Sequence, residues 1–226
     1  MLERWLTYRQ IDQLRREHVI KKATGSDRDR RQYFPIAVID DKPFQYEQTL
    51  RANNYVVDYL GDITSIDAIL TYNIVACDLQ GVGTRMNARG QGAYIIDEIK
   101  RSHPEKFVIA YTGGSPDDSI TIKAQEIADF FLKKDADIDD WRDNLDLIIT
   151  QLSDPVDVWR RQRDALVEAD VPTLDILRLE DAYVTSIIDK SPRRYSQFAS
   201  NAKVSSDLRS IVQSLIASGI FKVLVG

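Results

Sequence analysis

The sequence predicts an α/β fold: an open, doubly wound sheet of five parallel strands, with an N-terminal helix before it and an all-helical segment after it. Between residues 34 and 153, short apolar runs alternate with amphipathic stretches. The runs are continuously apolar, which is typical of parallel strands buried on both faces, and their alternation with helical patterns indicates strand–helix–strand units. After Pro155 only helical periodicity remains, so the sheet is predicted to end before that residue.

The segment before the sheet predicts a helix and a linker. Apolar residues, including Trp5, Ile11 and Leu14, recur at helical spacing over residues 2–22. Residues 24–31 are rich in Gly, Ser, Asp and Arg, which is typical of a linker. We therefore expect three parts: an N-terminal helix and linker over 1–33, a sheet domain over 34–153 and a helical domain over 154–226.

Five apolar runs are the candidate strands, and the amphipathic stretches after them are the candidate helices. The strands are predicted at residues 36–39, 55–60, 73–77, 107–111 and 129–132. The helices of this domain are predicted at residues 44–53, 65–71, 93–102, 119–127 and 140–152.

The C-terminal segment predicts four helices, at residues 156–169, 173–189, 193–199 and 206–218, and residues 221–225 are ambiguous. Pro155, Pro172 and Pro192 stand where helices usually begin. Leu174, Leu177 and other apolar residues at near-helical spacing predict a homodimer or a protein partner bound through the helical flanks. The alternative is that these helices only pack against the rest of the chain.

Composition limits the possible partners and locations. The 226 residues carry a net charge of −5, and residues 36–150 alone carry 20 Asp and Glu against 11 Lys and Arg. Such an acidic segment repels a polyanion, so we do not expect a nucleic acid partner. The apolar runs are too short for a transmembrane helix, and no signal peptide is visible at the start. One cysteine excludes an internal disulfide and fits a cytoplasmic protein.

The ends of the predicted strands carry the side chains that could bind a metal ion or react. Ligands of doubly wound sheets bind at the carboxyl ends of the strands. Carboxylates gathered there repel one another, and Mg²⁺, which prefers oxygen ligands, would offset that repulsion. A carboxylate can also attack a phosphoryl group, whose negative charge a metal ion and a lysine would neutralise. The residues at these ends are Asp40 and Asp41 after the first strand, Asp78 after the third, Thr112 after the fourth, and Lys133 and Lys134 after the fifth.

Four motifs end these strands: IAVIDD at residues 36–41, IVACD at 74–78, VIAYTG at 108–113 and ADFFLKK at 128–134. Through them residues 36–150 resemble the receiver domain of bacterial two-component response regulators. The resemblance implies a receiver or flavodoxin-like fold and a phosphoprotein that takes its phosphoryl group from a histidine kinase or a phosphotransfer protein. It implies a phosphoryl acceptor and not an enzyme, with at most self-catalysed phosphotransfer and autodephosphorylation.

The resemblance also implies a role for each matching residue. Asp78 is the phosphoryl acceptor, and its phosphorylation would draw in Thr112 and reorient Phe131. The full set is Asp78, Thr112 and Lys134 at the reacting group, Phe131 as the switch aromatic, and Asp40, Asp41, Asp78 and the backbone carbonyl of Gln80 as ligands of Mg²⁺.

Two departures from the family keep alternatives open. The family usually has a proline after the lysine, whereas Asp135 follows Lys134 here, so we expect the loop after the fifth strand to differ from that of the family. The loop over residues 79–92 is longer than in the family, and its Arg85 and Arg89 could cover the site or meet a partner. The alternatives are a phosphorylation-independent interaction scaffold and a DNA-binding transcriptional regulator with its turn near residues 189–192.

Overall fold

The apolar runs form one five-stranded parallel sheet. The computed structural model describes residues 8–14, 30–115, 117–199 and 205–225. The strands lie in the order β2-β1-β3-β4-β5, and each neighbouring pair is parallel. This order defines the flavodoxin-like form of the doubly wound fold, so the predicted fold class is confirmed. The strands are β1 (Ile36–Ile39), β2 (Val57–Tyr59), β3 (Ile74–Asp78), β4 (Phe107–Thr112) and β5 (Phe130–Lys133).

The described residues divide into two compact units. One unit runs through residue 150 and contains the sheet, and the other combines residues 8–14 with the described residues from 151 onward. The helices that follow the strands are α1 (Glu47–Ala52), α2 (Gln91–Ser102), α3 (Ser119–Ile127) and α4 (Ile138–Leu152). The later helices are α5 (Pro155–Glu168), α6 (Thr173–Ile188), α7 (Arg193–Ala199), α8 (Ser206–Ala217) and α9 (Ile220–Val225).

Burial along the strands follows their position in the sheet. Every residue of β1, β3 and β4 is buried. The edge strands differ, because β2 is buried only at Val57 and β5 is half-buried or exposed throughout. The expectation that all five strands are buried on both faces is therefore wrong for the two edges, where only one neighbouring strand is available to cover the backbone.

Two of the predicted helices are shorter than expected. Over residues 65–71 the chain forms a 3₁₀ turn, Ile66–Ile69, in which the Ser65 hydroxyl accepts a hydrogen bond from the Asp67 amide. The first helix begins at Glu47 and not at Phe44, because residues 44–46 form the turn that leaves the site edge of the sheet. Residues 221–225, which the sequence left ambiguous, belong to helix α9.

The linker predicted over residues 24–31 ends earlier than expected. Residues 15–29 lie outside the described residues, but Arg31 is buried and begins a 3₁₀ turn, Arg31–Tyr33. Its guanidinium binds both carboxylate oxygens of Asp146, at 2.8 and 2.5 Å, and donates to the Asn53 carbonyl. It also lies 4.4 Å from the ring centre of Tyr55. Arg31 therefore anchors the chain to the sheet unit before β1 begins.

The second unit is built around buried aromatic side chains. Tyr183 is fully buried, contacts Trp159 and Phe221, and donates its hydroxyl to the Pro155 carbonyl. Asp154 caps α5 by accepting from the Val156 amide. No described helix combines the length and apolar character needed to cross a membrane.

The N-terminal helix predicted over residues 2–22 is described only at residues 8–14. Of these, residues 12–14 are helical and residues 8–10 are not, so the helix is not continuous. The Arg9 and Ile11 amides instead donate to Asp181 and Glu180 of α6. Side-chain acceptors have replaced the helical carbonyls there, and Trp5 lies outside the described residues.

Candidate functional site

Three aspartates meet at the carboxyl edge of the sheet. Ile39 of β1 pairs with Cys77 of β3, so Asp40 and Asp78 follow directly from neighbouring residues of adjacent strands. Asp40, Asp41 and Asp78 each offer an oxygen, and these oxygens all lie within 4.8 Å of one another. Asp40 and Asp78 are buried, at 1% and 3% exposure, whereas Asp41 is exposed. Parallel register alone thus brings together carboxylates that are 38 residues apart.

Lys134 reaches two of these carboxylates. Its Nζ lies 2.6 Å from Asp78 Oδ2 and 3.0 Å from Asp40 Oδ2. Burial favours the neutral amine, but the hydrogen bonds and charges of the two aspartates outweigh it and raise the Lys134 pKa. Lys133, its neighbour, is exposed. Of the two lysines at this strand end, Lys134 is the one in contact with the carboxylates.

The two buried aspartates have opposite pKa shifts. Burial raises the pKa of Asp78, and the Lys134 ammonium only partly offsets it. At Asp40 burial acts in the same direction, but hydrogen bonds from the Lys42 amide, Lys134 and Tyr111 outweigh it and lower the pKa. Asp40 is thus the better stabilised anion, and Asp78 the carboxylate whose charge is poorly compensated.

Tyr111 is a member of the site that the sequence reasoning did not single out. Its hydroxyl donates to Asp40 Oδ2 at 2.8 Å, and the residue is 1% exposed. Burial and the Asp40 carboxylate strongly raise the Tyr111 pKa. A signal was present in the sequence, since Tyr111 stands between the aliphatic run of residues 108–110 and Thr112 at the end of the strand.

The acidic cluster suits a hard divalent cation. It offers carboxylate oxygens from Asp40, Asp41 and Asp78, which is the ligand chemistry that Mg²⁺ prefers. Gly81 keeps the backbone against Asp41, because a Cβ at this position would come within 2.8 Å of the carboxyl carbon. Gly81 also has a positive φ of 81°, a conformation that favours glycine. Asp41 itself is exposed, so the cluster is accessible from its side.

Gln80 is exposed beside the cluster. Its backbone N–H donates to Asp78 Oδ1 at 3.5 Å. Its side chain lies over Gly114, where a Cβ would come within 2.5 Å of the Gln80 amide nitrogen. The chain thus places Gln80 next to Asp78, and the predicted role of its carbonyl as a metal ligand remains a prediction.

Thr112 and Phe131 border a cavity of about 610 Å³ next to Lys134. Thr112 is buried, and its hydroxyl accepts from the Gly114 amide at 3.0 Å. Phe131 is half-buried and packs against the hydrophobic core. Thr121, on the same cavity, has a buried hydroxyl without a hydrogen-bond partner in the described structure. Phe131 and Thr112 therefore both border open space beside Lys134.

The two departures from the receiver pattern are accommodated by local hydrogen bonds. The Lys134–Asp135 peptide is trans, and Lys134 still points to the carboxylates. In the long loop, the Gly83 amide donates to Asp62 at 2.6 Å and Val82 is fully buried. Arg85 and Arg89 are exposed there. The loop is thus packed onto the sheet unit, with its two arginines exposed.

No family model and no curated protein matches the chain. Solved structures similar to it include a BeF₃-activated receiver domain of DrrB, 22% identical over 52% of this chain and 97% of that one, with a TM-score of 0.42. A CheY-like receiver domain from Methanospirillum hungatei is 15% identical over 52% and 98%, with a TM-score of 0.41. Full-length FixJ from B. japonicum is 17% identical over 82% and 97%, with a TM-score of 0.45.

The similarity to receiver domains is one of fold, and the strand order of the sheet defines that fold independently. At the site itself, the structure brings Asp40, Asp41, Asp78 and Lys134 into one cluster. Such a cluster can hold a cation and present a carboxylate oxygen to an electrophile.

Proposed function

We propose that this chain is a response-regulator-like signalling protein that accepts a phosphoryl group on Asp78 in the presence of Mg²⁺. The observation that supports the proposal is the contact of Asp78 Oδ2 with Lys134 Nζ at 2.6 Å, within a cluster that also contains Asp40 and Asp41. A cation beside the acceptor oxygen is what phosphoryl transfer requires, because negative charge builds up there in the transition state.

The reaction joins an Asp78 carboxylate oxygen to phosphorus. The bond between phosphorus and its donor breaks as the new P–O bond forms, and the donor atom leaves with the electron pair and takes a proton. Asp78 Oδ1 is held by the Leu79 amide at 2.8 Å, and Oδ2 by Lys134, so both oxygens are oriented. When bound, Mg²⁺ would supply positive charge to the transferred group, and Asp40 and Asp41 would hold it with Asp78.

The donor in this proposal is a phosphohistidine of a histidine kinase or a phosphotransfer protein. The chain acts as the acceptor, with at most self-catalysed transfer and autodephosphorylation. The 610 Å³ cavity next to Thr112 and Phe131 gives these residues room to rearrange after Asp78 is modified. The helices from residue 154 onward would carry the output, as a homodimer or toward a protein partner in the cytoplasm.

The test uses the full chain, Mg²⁺ and a small phosphoramidate or acyl phosphate donor. Intact-mass measurement should show one added phosphoryl group that chelation of Mg²⁺ prevents and that Asp78→Asn abolishes. Asp135→Asn is the matched control, because Asp135 is exposed and stands outside the acidic cluster; this variant should still be labelled. Labelling that survives Asp78→Asn, or none with the unmodified chain, would overturn the proposal.

A second candidate is an interaction scaffold that works without phosphorylation. It is favoured by one observation: Lys134 Nζ binds Asp78 and Asp40 together, so one of the three carboxylate charges of the cluster is compensated without a metal ion. The two candidates differ in one measurement. For a scaffold, wild type and Asp78→Asn should bind partners or self-associate equally, and Mg²⁺ should not bind at millimolar concentration.

A further inference from the structure

The buried hydroxyl of Tyr111 is the feature of the site that the proposed function leaves unused. It donates to Asp40 Oδ2 at 2.8 Å, and Asp40 and Tyr111 are each 1% exposed. Tyr111 pairs in register with Asp78 across strands β3 and β4. The phenol thus lies one strand from the proposed acceptor and bonds directly to the neighbouring carboxylate.

We infer that Tyr111 is a positioning residue that orients the Asp40 carboxylate for cation binding. The inference rests on the proposed function for the identity of the cation, and its own content is the action of Tyr111 through Asp40. Three donors make four contacts with the Asp40 carboxylate: the Lys42 amide at 2.9 Å on Oδ1, the Tyr111 hydroxyl on Oδ2, and Lys134 Nζ on both oxygens. Lys134 also binds Asp78, whereas the Tyr111 hydroxyl donates its proton to Asp40 Oδ2 alone.

The Tyr111 ring is fixed by two aromatic neighbours. The Trp141 ring meets it edge-on, with centroids 5.3 Å apart and planes at 78°, and Phe44 lies 6.2 Å away. The edge-to-face contact with Trp141 is a preferred arrangement of aromatic rings, and both neighbours pack against the buried Tyr111 ring. The hydroxyl is therefore presented to Asp40 from a rigid support, which is what a positioning residue requires.

Space beside Asp40 makes this orientation necessary. A cavity of about 180 Å³ is bordered by Asp40, Lys42, Phe44, Tyr111 and Trp141, among others. A buried carboxylate that loses one donor turns toward its remaining donors, because an unmade hydrogen bond to a buried charge is costly. Without the Tyr111 hydroxyl, Asp40 Oδ2 keeps the contact with Lys134 that Asp78 shares, and the cavity leaves the carboxylate room to turn from its orientation in the cluster.

Tyr59 provides a matched control. Its hydroxyl also bonds to Asp40, but to the backbone carbonyl at 3.0 Å and not to the carboxylate. Tyr59→Phe and Tyr111→Phe remove the same atom from the same kind of residue and from contacts with the same aspartate. Tyr111→Phe takes a donor from the carboxylate and Tyr59→Phe does not; Tyr111 is also the more buried of the two, since Tyr59 is half-buried.

The experiment titrates Mg²⁺ into the full chain by calorimetry and repeats the measurement as the Mg²⁺-induced rise in Tm. Tyr111→Phe should weaken Mg²⁺ binding about tenfold, the effect of one hydrogen bond to a charged group. Tyr59→Phe should stay within about twofold of wild type. At saturating Mg²⁺, labelling of Asp78 in Tyr111→Phe should return to the wild-type extent, because the variant weakens cation binding and not the chemistry. If Tyr111 acted only in folding, Tyr111→Phe would lower both the Mg²⁺ affinity and the extent of labelling at saturating Mg²⁺.

The outcomes separate this inference from the proposed function. If wild type binds no Mg²⁺, the proposed function fails. If wild type binds Mg²⁺ and Tyr111→Phe binds it as tightly as wild type does, or both Phe variants weaken it equally, the positioning role is refuted while the proposed function stands. Labelling that stays low at saturating Mg²⁺ in a folded Tyr111→Phe variant also refutes the positioning role.

Discussion

Replacing Lys134 with methionine removes the positive charge of the acidic pocket while keeping most of the side-chain volume. Its Nζ lies 2.6 Å from Asp78 and 3.0 Å from Asp40, and both aspartates are almost fully buried. The variant leaves these two carboxylates facing one another with no cation between them. We expect it to lower the free energy of unfolding in the absence of divalent ions.

The size of the loss follows from the geometry. Opposite charges about 4 Å apart attract by about 4 kcal/mol at an effective dielectric constant of about 20. The Lys134 side chain is 35% exposed, so solvent screens part of this attraction. Removing Lys134 also leaves two buried carboxylates uncompensated, which increases the loss of stability. We therefore expect Lys134→Met to cost about 2–3 kcal/mol at pH 7 in EDTA.

Urea unfolding of the full chain, followed by circular dichroism, measures this loss. Lys133→Met is the control, because Lys133 is adjacent and exposed; it should change the free energy of unfolding by less than about 0.5 kcal/mol. Mg²⁺ should recover much of the loss in Lys134→Met, since it supplies the missing charge. Equal stability of the two variants in EDTA would show that the Lys134 contacts do not stabilise the fold.

Two further predictions concern the support of the sheet unit. Arg31→Met should cost about 2 kcal/mol in urea unfolding, because it removes two hydrogen bonds from the half-buried Asp146 carboxylate and leaves that of Tyr55. Arg51→Met, at an exposed ion pair, should cost less than about 1 kcal/mol, and similar losses would argue against the anchor. Burial, aided by the Lys106 charge, lowers the pKa of His103 to about 4, below the 6.5 of a free imidazole. The folded state therefore prefers the neutral ring, and stability present above pH 6.5 should fall by about 1.4 kcal/mol per pH unit between 6.5 and 4. His103→Asn should remove this part of the pH dependence, and superimposable pH–stability curves for the two proteins would rule it out.

The alternation of apolar runs with helical patterns predicted the sheet, because strand and helix periods are local properties of the chain. Helix α3 was predicted at its observed bounds, residues 119–127. The misses lie where the local signal is short. Residues 65–71 have helical spacing over barely two turns. They form a short 3₁₀ turn that Ser65 caps and that buries Ile69. The edge strands were apolar enough to resemble central ones, and only their place in the sheet distinguishes them.

Arg31 shows the same limit at the boundary of the unit. A sequence of alternating Asp and Arg reads as a solvated linker, and nothing local distinguishes Arg31 from Arg28 or Arg30. Its partner Asp146 lies 115 residues later, on helix α4, so the ion pair exists only once that helix has packed. An ion pair between residues far apart in sequence therefore cannot be predicted from local sequence patterns.

The sequence by itself determined which residue types stand at the strand ends, and parallel register then required Asp40 and Asp78 to be neighbours. The tertiary structure decided which side chains reach them. Lys134 and not Lys133 contacts Asp78 across 56 residues, and Tyr111 contacts Asp40 across 71. The physical reason is the period of a strand: side chains alternate between faces, so a shift of one residue reverses which group meets the carboxylates, and only packing sets that register.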